Sequence, residues 1–318
     1  MFHYPQDESC IGRILYTEFY NVGQAFKLGR YPIHFHMIGS VSKSLVKGNA
    51  IHQTYNRGIT IHAVHYFNII KNVIYNTMGH SIFVEDAIET ENVIDGNLVI
   101  STHISWSLLN SDTTPASFWI THPNNILINN HAAGSDRYGF WYDLKANPIN
   151  GSYTPTICPD HDKLGEFRDN VAHSNNQYGL RIWNKFVPTT NPCSPWKYDN
   201  SNPSAAGAPY PSNPAIPAIF ENLISWKNGA NGAIAEIVGA VEFHNFKVAD
   251  NLIAGIEFSY PDLEVKQIDI VLILGGLVIG RSKNTEPTLD NASVRGIIGP
   301  RKDYFTIRNV KFYNFNFG

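Results

Sequence analysis

The chain has 318 residues, of which 16% are charged, and a formal net charge of -3. Few charges with plentiful Asn and Gly exclude a disordered segment and a helical bundle, and the charge balance offers no basic field to nucleic acid or anionic lipid. The start, MFHYPQDESC, lacks the basic and apolar regions of a signal peptide, and the longest apolar run, Ile270 to Ile279, is too short to span a bilayer, so no membrane span is expected.

Along the chain a degenerate unit recurs: an Asn, an apolar residue, a few mixed positions, then a Gly leading into a short alternating strand. Copies begin at Asn49, Asn72, Asn97, Asn130, Asn170, Asn222 and Asn245, with an incomplete one at Asn309. The shortest intervals are about 23 residues, the size of one solenoid coil. Short β-rich runs such as Ile59 to His62 and Ile82 to Val84 follow a Gly that can turn the corner. Asn at a tight bend tolerates left-handed backbone, and stacked copies can bond one another along the axis. Three short strands per coil without helical segments predict an all-β, right-handed parallel β-helix, here a single domain over 1–318. Insertions rich in Pro, Asn, Ser and Thr fall near 101–123, 146–164, 185–217 and 262–304. Their recurrence at one phase of the coil predicts that they gather on one flank, the default place for binding. The end, FYNFNFG, is an apolar strand without a polar cap, as expected of a fragment of a larger chain.

Five segments, GQAFKLGRYPIHFHMIG, AIHQTYNRGITIH, FVEDAIE, TPASFWITHPNN and LGEFRDNVAHS, together resemble the β-helix region of the fibrocystin and fibrocystin-like proteins. More distantly they resemble the cell-surface hyaluronidase and hyaluronan-binding relatives that carry a G8 domain. The resemblance covers roughly Cys10 to Phe258. It implies a piece of a very large secreted or single-span surface glycoprotein, at the cell surface and in the ciliary membrane, whose partners are neighbouring domains of the same chain and an extracellular protein or carbohydrate ligand. It implies no cofactor. In the hyaluronidase-type relatives an acid follows the Gly after PIHFH; here the pair is Gly39-Ser40, which weighs against cleavage of hyaluronan.

Three sets of residues could carry chemistry. His34 and His36 are two apart on one strand and share a face, and His62 falls in the next coil; three such imidazoles suit a transition metal, although neither Cys nor a close Asp is expected to join them. Glu85 and Asp86, with Arg30 as charge partner, are the candidate acids for a glycosidase, which needs two flanking the cleaved bond. As neighbours on a strand they are expected on opposite faces, so they do not make that pair. The aromatics Trp106, Phe118, Trp119, Phe140, Trp141, Tyr142, Trp183 and Trp226 suit either a sugar-stacking groove or packing beneath the insertions. A structural or adhesive module is therefore weighed against a polysaccharide-binding or polysaccharide-cleaving enzyme.

Asn150-Gly151-Ser152 and Asn291-Ala292-Ser293 are acceptor sequons for N-glycans on an extracellular protein. Cys158 and Cys193 lie in consecutive insertions and are expected to form a disulfide, with Cys10 left over.

Overall fold

The computed structural model describes residues 1–3, 10–107, 110–194, 213–261, 271–284, 295–300 and 305–315. It is a parallel β-helix: three ten-stranded sheets, A, B and C, in each of which every third strand of the chain pairs with the next. One coil runs Ile33–Ser40 in sheet A, Leu45–Lys47 in B and Ala50–Thr54 in C; the following coil runs Ile59–His65, Asn68–Ile70 and Val73–Met78. All the strand pairs within the sheets are parallel, so each residue sits above its counterpart one coil earlier, as with Ile69 and Ile94 or Ile74 and Val99.

Alternation along each strand sends every second side chain inward. In sheet A the column Phe35, Ile61, Val84 is buried, and Ile120, Tyr142 and Ile182 extend it. In sheet B the column runs Val46, Ile69, Ile94, Leu127, Phe167, Phe220 and Phe243. In the coils of Leu127, Phe167 and Phe220, sheet C narrows to Ala132, Ala172 and Ser225. Bulk in one wall is matched by small residues in another, which keeps the interior filled without overpacking.

The corner between sheets B and C carries the Asn column. Asn49, Asn72, Asn97, Asn130 and Asn170 are buried, and each of the first four donates its Nδ2 to the next Oδ1 at 2.9–3.2 Å. The same Oδ1 also accepts the backbone N–H of the preceding Asn, and Nδ2 caps a sheet B carbonyl one coil back, for example Asn97 to Ile69. One side chain thus satisfies backbone groups of two coils at a buried bend. The later copies do not belong to this column. Asn222, Asn245 and Asn309 occupy the preceding position, at φ of 54 to 56°, where earlier coils have Lys71, Gly96 or Asp169; the column position itself becomes Leu223, Phe246 and Val310. Asn suits both sites, one for its left-handed backbone and one for its amide. Shorter ladders, Asn92–Asn125 and Asn175–Asn228–Asn251, line the other two corners.

The insertions fall at two phases, not one. The stretch after Leu98–His103 leaves sheet C and enters sheet A, whereas those after Tyr138–Asp143 and Tyr178–Phe186 leave sheet A for sheet B. Part of the predicted insertions is itself strand: Ala116–Ile120 in the first, and Val271–Leu274, Leu277–Ile279 and Arg295–Ile298 in the last. Both phases border sheet A, so its outer face becomes the floor between two rims. Among the described residues no helix is long and apolar enough to cross a membrane.

Candidate functional site

On that floor, alternation places His34 and His36 outward from strand Ile33–Ser40, and register sets Thr60 and His62 beside them in the next coil. The ring centroids of His36 and His62 are 4.5 Å apart, those of His34 and His36 5.0 Å, and one nitrogen from each of the three rings lies within 4.8 Å of the others. His34 is 2% exposed, and its Nδ1 donates to the Gly29 carbonyl at 3.1 Å, while Nε2 has no partner. His36 shares a hydrogen bond of 3.0 Å with His3.

One coil further, strand Ile82–Val84 ends before Glu85, and the pleat ends with it. Glu85 and Asp86 are therefore not sent to opposite faces as the sequence suggests. Both turn to His62, whose Nδ1 is 3.4 Å from Glu85 Oε2 and whose Nε2 donates to Asp86 Oδ2 at 2.8 Å. The expectation that no Asp lies close to the histidines fails for the same reason. Arg30 is exposed in the turn before His34; the arginine that reaches Glu85 is Arg57, 3.8 Å away and fully buried.

Arg57 explains how the first rim is held. Its guanidinium lies 3.7 Å over the Phe83 ring and forms a fork with Asp112, Nε to Oδ1 at 3.0 Å and Nη2 to Oδ2 at 2.9 Å. Asp112 belongs to the 3-10 turn Asn110–Thr113 of the first insertion, so a buried ion pair fastens that insertion to the coil below. The second insertion is fastened by Asp86, which accepts from Asn150 Nδ2 at 2.9 Å and Ser152 Oγ at 2.7 Å while its carbonyl accepts the Ile149 N–H. Glu89, fully buried, accepts the N–H groups of Ala63, Asp86 and Ile88. Arg57, Glu89 and Asp112 were not singled out from sequence; Arg57 stands in the segment AIHQTYNRGITIH, and a charged residue at a coil's turn into sheet A was the available signal.

Charge at the site follows from these partners. Burial opposes ionisation of His62, but the two carboxylates outweigh it and raise its pKa. Burial works against Asp86 too, yet hydrogen bonds from His62, Asn150 and Ser152 hold its carboxyl below the usual range. For Glu85 burial wins over His62 and Arg57, and its pKa rises. Burial pushes His34 down to about 3, with the neighbouring imidazoles adding to the effect.

The row that holds His34 and Thr60 continues as Phe83, Trp119, Trp141 and Arg181. Trp119 and Trp141 point outward but are 4% and 7% exposed: His80 stacks on Trp119 at 4.8 Å, and the Arg181 guanidinium lies 5.4 Å from the Trp141 ring. Phe118, Phe140 and Tyr142 point into the core. Trp106 is 82% exposed, Trp183 is half-buried beneath Arg181, and Trp226 stacks on His173 at 4.2 Å on sheet C. Most of these aromatics pack, and they form no open sugar-stacking track.

Cys158 and Cys193 are joined by a disulfide with Cα atoms 5.3 Å apart, and Cys10 is a half-buried free thiol against the core. Asn150 is exposed, yet the nitrogen that would carry a glycan is the one bonded to Asp86. Asn291 lies outside the described residues.

Comparison with known proteins agrees with this architecture. The family described as CEMIP beta-helix matches residues 6–180. Fibrocystin-L is 37% identical in mouse and 36% in human, over 98% and 99% of this chain. The chain spans only 7% of the length of each. Human cell surface hyaluronidase CEMIP2 is 34% identical over 85% of this chain and 22% of its own length. With more than half its length matched, and with the parallel coils on the page, the chain belongs to the CEMIP β-helix family.

Proposed function

We propose that this chain is a non-catalytic structural and adhesive β-helix module of a large cell-surface protein, working beside neighbouring domains of the same chain. The observation that supports this reading is the use of the acids. Asp86 and Asp112 each hold an insertion, and Glu89 is saturated by three backbone amides. A glycosidase needs two carboxylates free to act on the substrate. Ser40, at the position where the resemblance places an acid, brings none. The Cys158–Cys193 bond suits an oxidising, extracellular setting, and so do relatives whose names place them at the cell surface.

One observation favours the other reading, a hyaluronan-type enzyme or binder: Glu85 has an oxygen without a hydrogen-bond donor, a raised pKa and an imidazole beside it. The test is incubation of the purified protein with high-molecular-weight hyaluronan from acid to neutral pH, followed by sizing on a gel. The polymer should keep its length. Shortening that disappears in Glu85→Gln would replace the structural reading with the catalytic one.

A further inference from the structure

The clamps account for Asp86, Glu89 and Asp112 but leave the three imidazoles beside them without a purpose. Three histidines packed within 4.8 Å on a strand-rich floor are a costly arrangement if nothing joins them, because burial deprives their nitrogens of water. The hydrogen bonds around them leave the lone pairs in one place. His34 uses Nδ1 to donate to the Gly29 carbonyl, so its neutral ring presents an unprotonated Nε2, and that atom is buried without a partner. His62 donates from Nε2 to Asp86, which leaves Nδ1 as the atom toward Glu85. The carbonyl behind His34 and the carboxylate behind His62 are the outer support that metal-ligating histidines use to fix tautomer and orientation. His36, whose Nδ1 meets His3, has Nε2 for a further partner.

We propose that His34, His36 and His62 bind one zinc ion, with Asp86 positioning His62. Two ligands on a tetrahedral zinc, with bonds of about 2.0–2.1 Å, stand about 3.3–3.4 Å apart. Closing the histidine nitrogens from at most 4.8 Å to that spacing takes about 1.4 Å, a shift that side-chain rotation at the half-buried His36 and His62 can supply. Three imidazoles without a thiolate suit zinc and leave its fourth position open. Bound there, the ion would tie the coil of His34 and His36 to the one that follows. The inference does not depend on the structural reading, since hyaluronan cleavage and zinc affinity are measured separately.

The test uses protein purified without a polyhistidine tag, stripped with chelator and titrated with zinc chloride by calorimetry. One ion should bind per chain and raise the thermal midpoint. His36→Ala, at a half-buried position, should weaken binding about tenfold or more while leaving the metal-free midpoint near that of the parent. Asp86→Asn should weaken it less, because it disturbs the positioning of His62 without removing a ligand. No binding by the parent protein, or binding unchanged in His36→Ala, would overturn the proposal.

Discussion

The first coils and the last ones build the same three sheets with opposite chemistry. From Asn49 to Asn170 the corner between sheets B and C is a buried amide column, and the outer face of sheet A holds buried Arg57, Asp86, Asp112 and His34. From Leu223 onward that corner is apolar, as Leu223, Phe246 and Val310, and the sheet A positions in register with Trp141 become Arg181, Ile234 and Glu257. The corner between sheets B and C therefore does not require its amide column, while the later coils keep a ladder, Asn175–Asn228–Asn251, at another corner. Where polar networks occur, they satisfy backbone at bends or hold insertions over one face, and the family match over residues 6–180 covers the first coils.

The comparison is broken most severely by removing one partner of the buried ion pair. Asp112→Ala should lower stability by about 3 kcal/mol, because buried Arg57 loses its hydrogen-bonded fork and keeps only Glu85, 3.8 Å away, as a counter-charge. Urea unfolding checks this, and a loss below about 1 kcal/mol would mean that the first insertion is held by something else.

Acid should act on the same half. Burial pushes His34, His80 and His122 down to about 3 from 6.5. They stay neutral when folded but take up protons when unfolded, so their contribution is complete above about pH 6.5 and falls as pH drops toward 3. By pH 5 each costs about 2 kcal/mol. Glu89, pushed up to about 7 by burial, works in the opposite sense and offsets about 2 kcal/mol over the same range. The net result should be a stability that decreases by a few kcal/mol from pH 7 to pH 5, read from unfolding midpoints in buffered denaturant. A flat profile would show that these rings are not held neutral.

The smallest effect separates the two kinds of Asn. Asn97→Gly removes an acceptor from both the backbone and the side chain of Asn72, and should cost about 2–3 kcal/mol. Asn222→Gly keeps a residue at home in left-handed backbone and loses one exposed bond to Asp169, so it should cost under about 1 kcal/mol. Equal costs would return Asn222 to the column from which the structure removes it.

The fold was legible because its cause is periodic: Gly corners, alternating strands and a coil of about 23 residues repeat along the chain. The repeat also misled, since Asn is favoured both at a left-handed bend and in a ladder, and the sequence does not separate Asn170 from Asn222. The histidines were legible through strand alternation and the next coil's register. Their carboxylate partners were not, because alternation was carried past Val84, where the strand ends. Arg57 and Asp112 are 55 residues apart and meet only because an insertion folds back, which no local pattern records.

The account's central claim, that acids of the first coils serve as clamps on the insertions, is tested most directly by amide hydrogen exchange in Asp86→Ala. Asp86 accepts from two side chains of the second insertion, and its carbonyl takes the Ile149 N–H. Removing the carboxylate should speed exchange through 146–164 while strands Asn231–Val238 and Ala254–Pro261 keep the protection of the parent protein. Unchanged protection across 146–164 would contradict the claim and return Asp86 to the pool of residues available for chemistry.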